Sequence, residues 1–377
     1  MPKQLRLPFI AFALLLVTTS LFGQQPLSGS TTISQYVLFA DGSHRGMFDS
    51  TRYGVQMGDF SGVTRGVRDS TFIGSNFRVG IGSFNTIVSN IYSGNRVNIV
   101  SDNTIGGNIV ARNDAFANFD VVTIGSSRNR IGSYDPFNGL GLAPNGGIIQ
   151  ARGNVRASVG DSIKGPVYLQ KPYTYSGPPP FLGPPQILDT LPLPTLPSLP
   201  FQTTFPAFGG KDVGISDSIL PGAYRDMILT GGGTVTLLQP GVYVFKSIKS
   251  FGKNNINFLI PPDSTQNYRI YVHEDVDLGP TQVTINGQGP DGNDNFILAR
   301  QIYMEVHGNG STVPGGNAFH IKDTSRGPEI SSFWAGTVYA TNGSIAIGTV
   351  GALEGYEAIV HGAFWSKTKI LIGDNVK

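Results

Sequence analysis

The chain contains no cysteine. No disulfide can brace it, and no thiol is available as metal ligand, nucleophile or lipid-attachment point. Charge is scarce as well. Only 14% of the residues are charged, against about 25% in ordinary domains. The 27 basic and 25 acidic side chains nearly cancel, and without the two cations near the start, Lys3 and Arg6, the balance is 25 against 25. A neutral chain with no basic tract is a poor partner for nucleic acid. No stretch shows helical periodicity of useful length. The five histidines, His44, His273, His307, His320 and His361, are scattered, with no close-spaced pair. No serine sits in a nucleophile-elbow context and no glycine-rich loop opens a helix, so no cofactor is implied.

Residues 1–23 have the composition of a secretion signal. Lys3 and Arg6 precede an apolar run from Leu7 to Val17, and Gly23 closes the segment before Gln24-Gln25-Pro26. The run is too short and too early for a spanning helix, so cleavage is expected, with no membrane span afterwards. The expected location is secreted, extracellular or at the cell surface.

Glycine is abundant, 50 of 377 residues, nearly twice the usual share of about 7%. One phrase recurs: a hydrophobic pair, then Ala or Ser, then a turn, then a second hydrophobic run. It is read at Ile91-Tyr92-Ser93, Ile109-Val110-Ala111, Ile149-Gln150-Ala151, Ile297-Leu298-Ala299, Val338-Tyr339-Ala340 and Phe364-Trp365-Ser366. A strand, a small corner residue and another strand make one bend of a coiled ribbon. Such a unit cannot bury its apolar face alone, so copies must stack. The fold class expected is all-β, a β-solenoid (β-helix) of short strands. Asn90-Ile91 and Asn108-Ile109 lie 18 residues apart, the length of one coil. Val338 and Phe364 are offset by 26, and predict adjacent tiers of the same column.

The organisation expected is a signal at 1–23, an irregular β lead-in at 24–70, a first solenoid block at 71–176, a proline-rich segment at 177–206 and a second block at 207–377. Ten of the 30 residues from Gly177 to Pro206 are proline. In Leu193-Pro194-Thr195-Leu196-Pro197-Ser198-Leu199-Pro200 leucine recurs every third residue. Polyproline II has about three residues per turn, so the leucines share one edge, and that edge is expected to lie against a solenoid face. The chain ends directly after a strand with no polar cap. Either a later segment is missing or an earlier one folds back over the end.

Four segments carry a family resemblance: Gly241-Val242-Tyr243-Val244-Phe245-Lys246-Ser247-Ile248, Tyr271-Val272-His273-Glu274-Asp275-Val276-Asp277-Leu278-Gly279, Trp334-Ala335-Gly336-Thr337-Val338-Tyr339-Ala340 and His361-Gly362-Ala363-Phe364-Trp365-Ser366. Together they resemble a β-solenoid module of large secreted surface proteins from gliding, Bacteroidetes-type bacteria, similar to choice-of-anchor A and ice-binding-like adhesin domains. The resemblance implies export and a place at or beyond the surface of a bacterial cell. It carries no active-site residues. Its relatives usually continue into further repeats and a sorting domain.

Three chemistries are weighed on particular residues. Trp334, Tyr339 and Trp365 are candidates for an aromatic platform under sugar rings, with core packing as the competing role. Strand alternation would put His273, Asp275 and Asp277 on one face, as a metal or acid/base site of a polysaccharide lyase or hydrolase. A polar outer face is the alternative there. Asp291, Asn293 and Asn295 alternate like the start of a calcium loop, but Phe296 stands where glycine is needed and Ile302 where glutamate is. Ice binding needs a flat face of regularly spaced threonines, and Thr234-Val235-Thr236 and Thr281-Gln282-Val283-Thr284 come nearest. The reading favoured is an exported, non-enzymatic β-solenoid with an adhesive or structural role. Its expected partner is surface polysaccharide or another surface protein.

Overall fold

The computed structural model describes residues 25–42, 54–63, 71–114, 120–125, 127–132, 147–261, 264–289, 298–308, 317–322, 332–348 and 358–376. Apart from two 3-10 turns, at Ile33–Gln35 and Ala299–Gln301, the regular elements among them are short strands. Consecutive strands turn corners instead of forming hairpins, and each pairs in parallel with the strand one coil away. The result is a three-sided β-solenoid. Its first side is a sheet of 13 strands and its second a sheet of 12; the third consists of one sheet of 5 and one of 6.

Five of the six copies of the recurring phrase form the corner between the first and second sides; in the sixth, Ile297 lies outside the described residues and Ala299 opens the 3-10 turn that precedes the first-side strand Ile302–Val306. Ala340, Ser366, Ala40, Ser75, Ser93, Ala111 and Ala151 stand in one register column, and all are buried. The column continues into Leu169 at one end and Val306 at the other, so small residues fill it over these seven coils only. Where the residue is serine, its hydroxyl also serves the corner's backbone. The Ser93 Oγ lies 2.8 Å from the Phe77 carbonyl and 2.9 Å from that of Arg96. Like stacks over like inside the shaft too: Ile73, Ile91, Ile109, Ile149 and Val167 on the first side, and Ile87, Ile105, Ile131 and Ile163 on the third. The predicted pairing of Val338 with Phe364 is present.

One ladder is polar. At the corner leading to the third side, the backbone N–H of Ser61 donates to Asn85 Oδ1 (2.8 Å), that of Asn85 to Asn103 (2.9 Å), that of Asn103 to Asn129 (3.0 Å) and that of Asn129 to Asp161 (3.0 Å). All five residues are buried. A tight corner leaves its N–H unable to reach the sheet ladder, and the side chain of the next coil takes its place.

The order of coils along the axis is not the order along the chain. The strand Tyr36–Ala40 pairs on one edge with Phe72–Ser75, and on the other with Phe364–Ser366. Val55–Met57 likewise pairs with Ile370–Ile372. On the third side Val376 bridges Ala358, and its carbonyl accepts from the Gly62 N–H at 2.8 Å. The last coil of the second half therefore continues into the first coil of the first half through all three sides. The missing cap is supplied by the earlier segment. The lead-in at 24–70 is correspondingly less irregular than its composition implied: Tyr36–Ala40, Val55–Met57 and Gly62–Val63 form a complete coil.

This order forces the proline-rich segment to travel back along the column. Gln186–Leu188 still forms the last strand of the first side. Beyond it the chain runs as a strap over the outside of that side. Exposure follows a period of three: Leu191, Pro194 and Pro197 are buried, and Pro192, Thr195 and Ser198 are exposed. Leu193, Leu196 and Leu199 pack against a cluster of Tyr36, Phe39, Phe72, Tyr92 and Val110. The amide of fully buried Gln150 ties strap to lead-in: it donates to the carbonyls of Pro192 (2.8 Å) and Leu27 (3.1 Å), and its oxygen accepts from the Leu27 N–H (2.7 Å).

Replacing Asn129 with Ala orphans the Asn103 N–H in the shaft wall. Each buried donor left unmade costs about 1–3 kcal/mol, so the Asn129→Ala chain should unfold at lower urea than wild type with an unchanged slope.

Candidate functional surfaces

Outward residues of the first side form a single track: Val244, Tyr271, Glu305, Tyr339, Trp365, Phe39, Gly74, Tyr92, Val110, Gln150 and Tyr168, each in register with the next. The strap lies on this track. In the second half it is held by hydrogen bonds and rings. Glu305 is 1% exposed; its carboxylate accepts from the Thr203 N–H (2.9 Å), the Thr203 hydroxyl (2.8 Å) and the Tyr303 hydroxyl (3.3 Å). A buried carboxylate without such donors would be strongly destabilising. The Tyr339 hydroxyl donates to the Pro200 carbonyl at 2.7 Å. Phe205 stacks on His307 at 3.5 Å and packs against Tyr271 and His273. His273 Nε2 lies 2.9 Å from the Pro206 carbonyl. Burial holds the His307 imidazole below its ordinary pKa.

The aromatic candidates do not make an open platform. Trp334 is inside the shaft, edge-on to Phe319 at 5.0 Å, with its indole N–H donating to the Gly336 carbonyl. Tyr339 and Trp365 do sit in adjacent registers on the outer side, but Tyr339 is fully buried beneath the strap. Trp365 is half-buried beside it, its indole N–H donating to the Tyr36 carbonyl at 3.0 Å. Burial raises the Tyr339 phenol above its ordinary pKa. A sugar ring needs an open aromatic face, and Trp334 and Tyr339 offer none.

The acidic candidates are separated by a corner. Alternation placed His273, Asp275 and Asp277 together, but residues 273–275 are the bend from first side to second. His273 stays with the strap, and Asp277 points outward from the second side, in register with His320. The Lys322 Nζ stands 2.9 Å from Asp277 Oδ1 and the His320 Nδ1 3.5 Å. The adjacent His320 imidazole, followed by Lys322, lowers the Asp277 pKa to about 2 despite partial burial. No group of three potential metal ligands occurs among the described residues. Asp291, Asn293 and Asn295 lie outside them.

An accessible, ordered polar surface lies on the third side of the second half. Ser218, Thr236, Asn257 and Thr284 form one outward column. Thr234, Asn255 and Gln282 form a second, two residues earlier on each strand. Parallel strands fix about 4.8 Å between coils, and a two-residue step fixes about 6.6 Å along the strand. The grid is braced from within. The Thr284 hydroxyl lies 3.0 Å from the side-chain oxygens of both Asn255 and Asn257, and the Gly287 N–H donates to Asn257 at 2.8 Å. The two threonine-bearing segments singled out in the sequence are thus two coils apart on one face, with Asn255 and Asn257 filling the coil between. Past Gln282 the next residue in register is buried Phe333, where the grid ends.

The chain matches no family model, no curated protein and no solved structure.

Two outcomes follow from the site geometry. Glu305→Ala removes the acceptor for two Thr203 donors, and amide exchange across residues 200–208 should accelerate while exchange in the shaft strands Tyr268–Val272 and Thr337–Ala340 stays slow. Asp277 has a depressed folded-state pKa, so its contribution to stability is present above about pH 4 and is lost as the pH falls towards 2. Wild type and Asp277→Asn should therefore differ in urea midpoint at pH 6 and converge towards pH 2.

Proposed function

We propose that the chain is an exported, non-enzymatic β-solenoid with an adhesive role, and that a surface polysaccharide is its partner. The observation that carries this reading is the third-side grid. Its hydroxyls and amides offer donors and acceptors at a fixed repeat, as a hydroxyl-rich polymer requires. The shaft behind it holds the grid rigid, so little ordering entropy is lost on binding. The leader-like composition of residues 1–23 supports export. Another surface protein is a less favoured partner, because the grid lacks the aromatic and aliphatic anchors that dominate protein interfaces.

Ice binding is the second reading, favoured by Thr234, Thr236 and Thr284 on one face. Asparagine and glutamine occupy the intervening grid positions, and Thr284 is nearly buried, which weighs towards a carbohydrate. A lyase or hydrolase has less support, since Asp277 is engaged by Lys322 and His320.

A glycan array probed with the full chain tests the proposal. Binding to a polysaccharide that is lost in Thr234→Lys/Gln282→Lys supports it; a blank array, or binding indifferent to those changes, refutes it. Thermal hysteresis abolished by the same pair of changes would install the ice-binding reading in its place.

A further inference from the structure

We propose a second binding site, distinct from the third-side grid and independent of it: a groove for the carboxylate groups of an acidic polysaccharide, centred on Arg269 and Arg300. The groove has a volume of about 300 Å³ and runs between Thr203 of the strap and the strands beneath, lined by Asn267, Arg269, Tyr271, Arg300 and Tyr303. It opens into a shallower depression of about 340 Å³ that shares Asn267 and Arg269 and extends over Gln266 to Val242. Together they cross three coils, because Val242, Arg269 and Tyr303 are successive members of one register column.

Four observations give the groove its chemistry. Arg269 and Arg300 are both exposed, and neither has an ion-pair partner among the described residues. Two such guanidiniums on one groove are a local concentration of positive charge. Glu305, which accepts from Thr203 and Tyr303 of the lining, is buried; its single charge offsets one guanidinium at most and leaves the pair with net positive charge. The phenol of Tyr303 is directed at Glu305, and this fixes its ring as a wall on which a sugar can rest. Asn267 and Gln266 supply amides for hydroxyl groups at the open end.

A guanidinium presents a planar fork that matches a carboxylate through two parallel hydrogen bonds. A groove open along its length takes a linear chain instead of enclosing a small molecule. The ligand class is accordingly a polyuronate. Sulfate esters share the anionic chemistry but are tetrahedral and distribute charge over three oxygens, so they form the competing source.

Isothermal titration of the full chain tests the site, with oligogalacturonate, its methyl ester, a sulfated oligosaccharide of equal length and inorganic sulfate as probes. The expected result is binding to oligogalacturonate that weakens about tenfold or more on methyl esterification, on Arg269→Ala/Arg300→Ala, and on Arg269→Lys/Arg300→Lys, which keeps the charge but removes the fork. Thr234→Lys/Gln282→Lys should leave this binding unchanged, which separates the groove from the grid. Equal affinity for the methyl ester, tighter binding of the sulfated chain or of inorganic sulfate, an unaltered affinity in the alanine pair, or no binding to oligogalacturonate would each overturn the proposal. Both arginines are exposed, and an unchanged circular dichroism spectrum establishes that the alanine pair is folded.

Discussion

Everything in this molecule depends on parallel, in-register contact between one coil and the next. A coil of 18 residues has three strands of two to four residues, too short to hold together by themselves. Its hydrophobic residues are half covered within the coil and fully covered only when Ile91 lies between Ile73 and Ile109. The same contact completes the hydrogen bonding. Each strand's donors and acceptors are met by its two neighbours, and the stray N–H groups of the corner before the third side by asparagine, or finally Asp161, one coil away. Stability is therefore a sum over adjacent pairs, and the weak points of such a column are its two ends.

The two halves deal with that weakness by sharing an end. The seam between Phe364–Ser366 and Tyr36–Ala40 turns two solenoids with four termini into one with two, and the strap is the geometric consequence. It must span the column because the first half finishes at one extreme and the second begins at the other. Its polyproline form suits the distance. It is extended, has no hydrogen-bond ladder of its own to satisfy, and presents leucine to the outer aromatic track at every turn. Strap and track are mutually protective: Tyr339 and Glu305 are buried only because Pro200 and Thr203 cover them. Prolines 178–180, 184 and 185 flank the outermost strand of the first side, where they discourage pairing with another chain.

Much of the fold was legible from residue order. The Ala/Ser corners other than Ala299, the 18- and 26-residue offsets and the leucine period of the strap each state a local geometry, and each of these is found. What was not legible has a common cause. Ile stacks equally well on any Ile, so the pattern says that coils stack without saying which coil lies on which, and the seam at Phe364 could not be foreseen. Side-chain direction depends on where a corner falls: Trp334 and Tyr339 were both open to a platform or a core role, yet one points into the shaft and the other out beneath the strap. A bend at residues 273–275 likewise broke the alternation expected to unite His273 with Asp277. Nothing in the sequence singles out Glu305 or Gln150 as buried, because the segments that cover them are more than 40 residues distant. The third-side grid was half visible, as two threonine pairs. Unequal coil lengths in the second half hid the asparagines that complete it, and the Arg269–Arg300 groove joins a strand residue to a turn residue from the next coil.

The seam also separates the timetable of synthesis from that of assembly. Trp365 leaves the ribosome 329 residues after Tyr36. Until then the lower edge of the Tyr36–Ala40 strand has no partner, and the finished first half presents a raw β-edge to its surroundings. Such an edge is a template for unwanted pairing. The seam closes that edge only when the final coil has emerged.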